Sequence, residues 1–319
     1  MKTLLLASRL ALLLVLTNCS NGSPGSKQSS PKSTEPSSPQ TNNNNEELRK
    51  QLLKIASAAK GKVGVMAVVL ETGESVSLNP QDHFPMQSVY KLPIGMAVMK
   101  LIDAGKINLD QRVKVTKDDF IGRAAHSPIR DKFPTGAELT VSELIGWMLR
   151  ESDGTASDVL MKLIGGPPSV QAYLTELGIK ELIVRDTEKA FAQDHTLQYL
   201  NWTTPEAAVS LLRALSERRG LAAQSQALLM KFMIESTPGA KRLKGLLPEG
   251  TIVAHKTGTS GTDGGVTAAT NDIGIITLAN GRHLAISVFV SDSPANESTR
   301  EGVIAQIARA VWDTFGQSH

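Results

Sequence analysis

Apolar positions recur along this chain first with helical, then with strand, then again with helical spacing. "NEELRKQLLKIASAA" sets Leu48, Leu52 and Ile55 on one stripe and predicts an amphipathic helix. "KVGVMAVVL" predicts a strand, "ETGE" a tight turn and "SVSLN" the return strand. From about Ser88 to Ser236 the pattern is mostly helical, broken by punctuation such as "IGGPPS". Strand patterns return in "TIVAHKT", "DIGIITLA" and "HLAISVFV", and Asn280-Gly281 between the last two predicts a hairpin turn. "TREGVIAQIARAVWDTF" closes the chain as an amphipathic helix. Strands from the two ends must meet in one mainly antiparallel sheet. The predicted fold class is therefore α/β: a sheet lobe flanked by helices (about 46–86 and 237–319) and an all-helical lobe (about 87–236). A cleft between such lobes is the expected place for a ligand.

The first 45 residues do not fit this pattern. Residues 1–18 read as an export signal: Lys2 and Arg9, then the apolar run Leu10–Leu16, too short for a membrane-spanning helix of about 20 residues. Cys19, the only cysteine, stands where a lipoprotein signal is cut and its thiol acylated, although Asn18 occupies a place where Gly, Ala or Ser is usual. An ordinary signal peptide with an incidental cysteine is the alternative. Residues 19–45 are rich in Ser, Pro and Asn without apolar periodicity, which predicts a disordered tether. Cutting before Cys19 lowers the basic residues from 34 to 32 against 31 acids, so the remainder is near neutral and lacks the basic footprint of a nucleic-acid binder. Residues 46–319 contain no cysteine and must fold on their core alone, as a bacterial envelope protein of this kind can.

Candidate chemistry narrows the choice further. The six histidines show no H-E-x-x-H spacing and there is no Gly-rich phosphate loop, so neither a metal nor a cofactor is expected. In "MQSVYKLPIG", Ser88 and Lys91 are three apart at a helix start and share one face. A serine hydroxyl becomes nucleophilic when a base takes its proton, and an amine whose pKa is lowered by burial or neighbouring positive charge can be that base. In "AHKTGTSG", Lys256 and Thr257 close a strand and can hold an anionic group, while Gly258 lets substrate backbone approach. "RESDGTAS" reads by itself as a turn or helix cap.

Together, S-x-x-K, S-D-G and K-T-G, with 64 residues from Ser88 to Ser152 and 104 from Ser152 to Lys256, resemble the motif set of the penicillin-recognising serine acyl enzymes. "HFPMQSVYKL", "KRLKGLLP", "VAHKTGTSG" and "TAATNDIGII" resemble the PER-type extended-spectrum branch of the class A β-lactamases. The resemblance implies the two-lobed serine β-lactamase/DD-peptidase-like fold, a site in the cleft, and hydrolysis of a β-lactam amide through an acyl-serine by a monomer. It implies Ser88 as nucleophile, Lys91 as its partner base, Ser152 as proton relay to the leaving nitrogen and Glu188 as the residue activating the deacylating water. It also implies an oxyanion hole of the Ser88 and Thr259 backbone N–H groups, and a substrate-binding set of Lys256, Thr257, Gly258, Thr259, Ser260, Arg242 and Gly154. Asp153 is expected to brace its loop. Three departures stand out: Ala192 replaces an amide that helps hold the water; Asp186 and Asn201 occupy the places of a bracing Arg–Asp pair; Gly154 replaces an Asn, which should remove two contacts and open space for substrate. A penicillin-binding DD-peptidase and a lipid-tethered, non-catalytic sensor remain alternatives, with Glu188 against the first.

Overall fold

The computed structural model describes residues 40–191 and 194–317. The export segment, Cys19, residues 20–39 and Ala192 lie outside them. Helix α1 spans Gln40–Ala56, beginning six residues before the expected boundary. Residues 40–45 are thus helical and not part of a tether; once Leu48 and Leu52 anchor a turn, adding residues ahead of it is far cheaper than nucleating one. Strands β1 (Lys62–Val69) and β2 (Ser75–Leu78) form the expected hairpin.

The chain then crosses into the lobe expected to be all-helical, which is mainly helical but also holds four short strands: two pair with each other and two build a small sheet with the strand Phe84–Pro85. It runs through β3 (Phe84–Pro85), a 3-10 turn Gln87–Tyr90, α2 (Lys91–Asp103), β4 (Arg112–Val115), α3 (Pro128–Lys132), β5 (Ala137–Thr140), α4 (Val141–Arg150), α5 (Gly154–Leu163), α6 (Pro167–Glu176), β6 (Leu182–Ile183), α7 (Glu188–Phe191), β7 (Trp202–Thr203), α8 (Pro205–Ser216) and α9 (Ala223–Ile234). It returns in β8 (Val253–Thr259), β9 (Thr262–Asp263), β10 (Val266–Thr277), β11 (His283–Ser293) and α10 (Glu297–Phe315). The main sheet has the order β2-β1-β11-β10-β8, with β9 on β10, and every pairing is antiparallel. Asn280-Gly281 forms the predicted turn, Gly281 taking φ +80°.

Period-two alternation sends alternate residues to opposite faces. Val63, Val65, Ala67, Ile286 and Val288 pack under α1 and α10, while Val68, Ala285 and Phe289 join the core shared with the helical lobe. Apolar cover on both faces explains why β1 reads as a near-continuous hydrophobic run. Helix α2 is buried from Lys91 through Met99, so it is the central rod of the helical lobe. Its first residue and the edge strand β8 face the cleft from opposite sides.

Candidate active site

A cavity of about 610 Å³ opens between β8, the start of α2, the α4–α5 turn and α7. Ser88, Lys91, Ser152, Glu188, Thr257, Thr259 and Ser260 all line it. Lys91 is 1% exposed and is its hub. Its Nζ donates to Ser88 Oγ (2.9 Å) and to the Ser152 carbonyl (2.7 Å), and pairs with Glu188 Oε1 at 2.9 Å. Three acceptors match the three protons of an ammonium. The one-turn spacing of Ser88 and Lys91 produces the first contact; the other two come from residues 61 and 97 positions away and could not be read locally.

Ser152 is held in the left-handed region, φ +58°. For a non-glycine residue this costs of order 1 kcal/mol or more. The conformation turns its carbonyl to Lys91 while its Oγ accepts from Lys256 Nζ at 2.8 Å. Asp153 fixes this turn as expected. It is fully buried, caps α5 through the Ala156 N–H (2.7 Å) and accepts from the Ile129 N–H (2.7 Å) and the Ser127 hydroxyl. Burial pushes its pKa up, against these hydrogen bonds.

Lys256 is fully buried and outside the cavity lining. Burial, then the nearby Lys91 charge, hold its pKa well below the usual lysine value, with Asp272 acting in the opposite sense. It reaches the cavity through Ser152, and it also donates to the Thr257 carbonyl. Arg242 is likewise buried behind β8. It donates to the Gly258 and Asn271 carbonyls and to Thr259 Oγ1 (2.9 Å), and pairs with Glu301. Its route to the cavity is Thr259.

Two glycines differ from expectation. A Cβ at Gly258 would lie 2.3 Å from the Met86 carbonyl oxygen, so this glycine lets β8 close on the turn carrying Ser88 and does not line the cavity. A Cβ at Gly154 would lie 2.4 Å from Ile121 Cδ1 and 3.2 Å from Glu188 Cγ. The room left by the missing Asn is therefore filled by Ile121 and the Glu188 stem, and Gly154 is not a cavity residue either.

The segment carrying Glu188 is braced by unanticipated means. Asp158 accepts from the backbone N–H groups of Glu188 and Lys189, both at 2.9 Å, favourable at a helix N-terminus. Burial, then the Glu188 charge, raise its pKa to about 7. Asn201, fully buried, accepts from the Arg185 and Asp186 N–H groups (2.7 and 2.9 Å) and donates to the Asp186 carbonyl (2.9 Å). One amide side chain thus does locally what an ion pair across the loop would do. The lining residues missed in the sequence are Gln87, the loop Gly122–His126, Phe191, Gln198, Pro238 and Gly261. Gln87 beside Ser88, Phe191 three residues after Glu188 and Gly261 at the end of "AHKTGTSG" had motifs to mark them. Among the described residues no group of three or more His, Cys, Asp or Glu side chains could hold a metal ion.

The model of the β-lactamase enzyme family matches residues 47–315. The extended-spectrum β-lactamase PER-1 of Pseudomonas aeruginosa is 42% identical over 267 residues, covering 83% of this chain and 86% of that protein. This chain belongs to the class A β-lactamases. A solved β-lactamase of Chitinophaga pinensis superposes with a TM-score of 0.82 at 44% identity, over 84% of this chain and 99% of that one. A class A β-lactamase of Bacteroides cellulosilyticus gives 0.81 at 33%, over 86% and 99%. The β-lactamase hydrolyses the β-lactam amide and so confers resistance.

Proposed function

We propose that this β-lactamase works through an acyl-Ser88 intermediate, a reading carried by the Lys91 ammonium bridging Ser88 Oγ and Glu188 Oε1. Proton transfer from Lys91 to Glu188 leaves a neutral amine against Ser88 Oγ. The amine takes the hydroxyl proton as Oγ attacks the lactam carbonyl. The oxyanion forms against the backbone N–H groups of Ser88 and Thr259, and the C–N bond breaks as Ser152 hands its proton to the nitrogen and is resupplied by Lys256. Thr257, Thr259 and Ser260 bind the substrate carboxylate, Thr259 being set by Arg242. The proton on Glu188 returns by way of Lys91 and Ser152 to Lys256, which restores both groups. Glu188, ionised again, takes a proton from water as the water oxygen attacks the ester, and that proton passes to Ser88 Oγ as its bond to the acyl carbon breaks. The Glu188→Gln enzyme quenched with a cephalosporin should carry one acyl group on the Ser88 peptide; a label elsewhere would overturn the assignment.

The likeness to PER-1, named an extended-spectrum enzyme, supports bulky cephalosporins among the substrates. The protein acts as an exported monomer in the bacterial envelope, anchored by a lipid on Cys19; the apolar run before that cysteine and the Ser/Pro-rich stretch after it support this. Cys19→Ser should move activity from the membrane pellet to the soluble fraction, whereas an unchanged distribution would remove the anchor.

A further inference from the structure

Tyr90 is part of neither the motif set nor the mechanism above. It stands between Ser88 and Lys91 in sequence and is completely buried. Its ring meets Phe191 edge-on, centroids 6.2 Å apart at 82°. Phe191 ends the single turn of α7 that Glu188 begins, so the phenol is wedged where α7 docks on α5. Its hydroxyl makes no aligned hydrogen bond among the described residues. Leaving such a donor unsatisfied is costly, which makes it conspicuous beside a catalytic centre. Its polar neighbours are the carboxylates of Glu188 and Asp158 and the hydroxyl of Ser157. Ser157 gives its own proton to the Gly154 carbonyl (2.8 Å). Asp158 has both oxygens engaged by the N–H groups of Glu188 and Lys189. Glu188 uses Oε1 for Lys91.

We infer that Tyr90 is a positioning residue that donates its phenolic proton to the Glu188 carboxylate during deacylation. Burial, then the negative charges of Glu188 and Asp158, push the phenol's pKa well above its ordinary value, so it stays a donor throughout the working pH range. The other charges acting at Glu188 are Lys91 in direct contact, Asp158 beneath its backbone and the more distant Lys256. A hydrogen bond donated to a carboxylate favours its ionised form, the form that takes a proton from water. The inference rests on Glu188 being the deacylating base.

The test is the pH profile of the deacylation rate, measured with a chromogenic cephalosporin on Tyr90→Phe. Its acid limb should move up by about one pH unit. The acylation rate should stay within about twofold, and the melting temperature should hold or rise because a hydroxyl unpaired at rest has been removed. A superimposable acid limb overturns the inference. Ser157→Ala, which removes the competing acceptor, should leave the limb in place or lower it. A limb raised equally by Ser157→Ala would report loosened α5–α7 packing and also overturn it. If Glu188→Gln accumulates acyl-enzyme while Tyr90→Phe leaves the limb unmoved, only the Tyr90 assignment fails. If Glu188→Gln deacylates like the parent, the assignment of Glu188 falls and that of Tyr90 with it.

Discussion

Ser88→Ala should lower kcat/KM for a chromogenic cephalosporin by roughly 10⁴- to 10⁶-fold, the scale on which removing an activated serine nucleophile acts. The fold should survive. Ser88 Oγ accepts one of three contacts from Lys91, and the other two, to the Ser152 carbonyl and Glu188, remain. Melting temperature should therefore stay close to the parent while turnover disappears. Ser152 is the obvious rival, because its Oγ also touches a buried amine. The two serines separate cleanly by adduct formation. Ser152→Ala should slow acylation yet still allow a label on Ser88, whereas Ser88→Ala should take no label. If Ser88→Ala keeps turnover within tenfold of the parent, the nucleophile lies elsewhere.

What could be read from the sequence was local or ordered. The hairpin at Asn280-Gly281, the β1–β2 hairpin and the one-turn adjacency of Ser88 and Lys91 follow from periods and turn chemistry that act within a few residues. The two-lobed arrangement followed from strand patterns at both chain ends, since β1 had to pair with something and β11 was available. Contacts made across the fold were beyond such reasoning. Gly258 carries no sign that its constraint is the Met86 carbonyl. Ile121 lies 33 positions from the Gly154 whose space it fills. Arg242 in "KRLKG" looks like any surface charge, yet β8 and Glu301 enclose it. Asp158 and Asn201 bond backbone N–H groups, and such partners leave no pattern of paired side chains to detect. A non-catalytic sensor would draw its support from the Gly154 and Ala192 departures. The space at Gly154 is filled and the Ser88–Lys91–Glu188 contacts are intact, which weighs against it.

Glu188→Gln should produce the second large effect, and a different one. Glutamine keeps nearly the same shape and its carbonyl oxygen can still accept from Lys91, but it cannot take a proton from water. Acylation should continue, slowed because the Lys91 proton has lost its destination. Deacylation should fall by roughly 10²- to 10⁴-fold, the usual worth of a positioned general base. Mixing with a good cephalosporin should give a burst of product equal to the enzyme present, then a slow phase, and intact mass should show the adduct persisting. The parent should show neither burst nor lasting adduct. This contrast also separates the enzyme from a penicillin-binding DD-peptidase, in which the unmodified protein would itself stay labelled. Lys91 would lose its counter-charge in a site only 2% exposed at its side chain. Breaking a buried pair on one side costs about 3–5 kcal/mol if the remaining charge persists. A small change in melting temperature would mean that the amine sheds its proton instead, leaving it ready to activate Ser88. If release from Glu188→Gln were as fast as from the parent, the deacylating base would have to be sought among the other cavity residues.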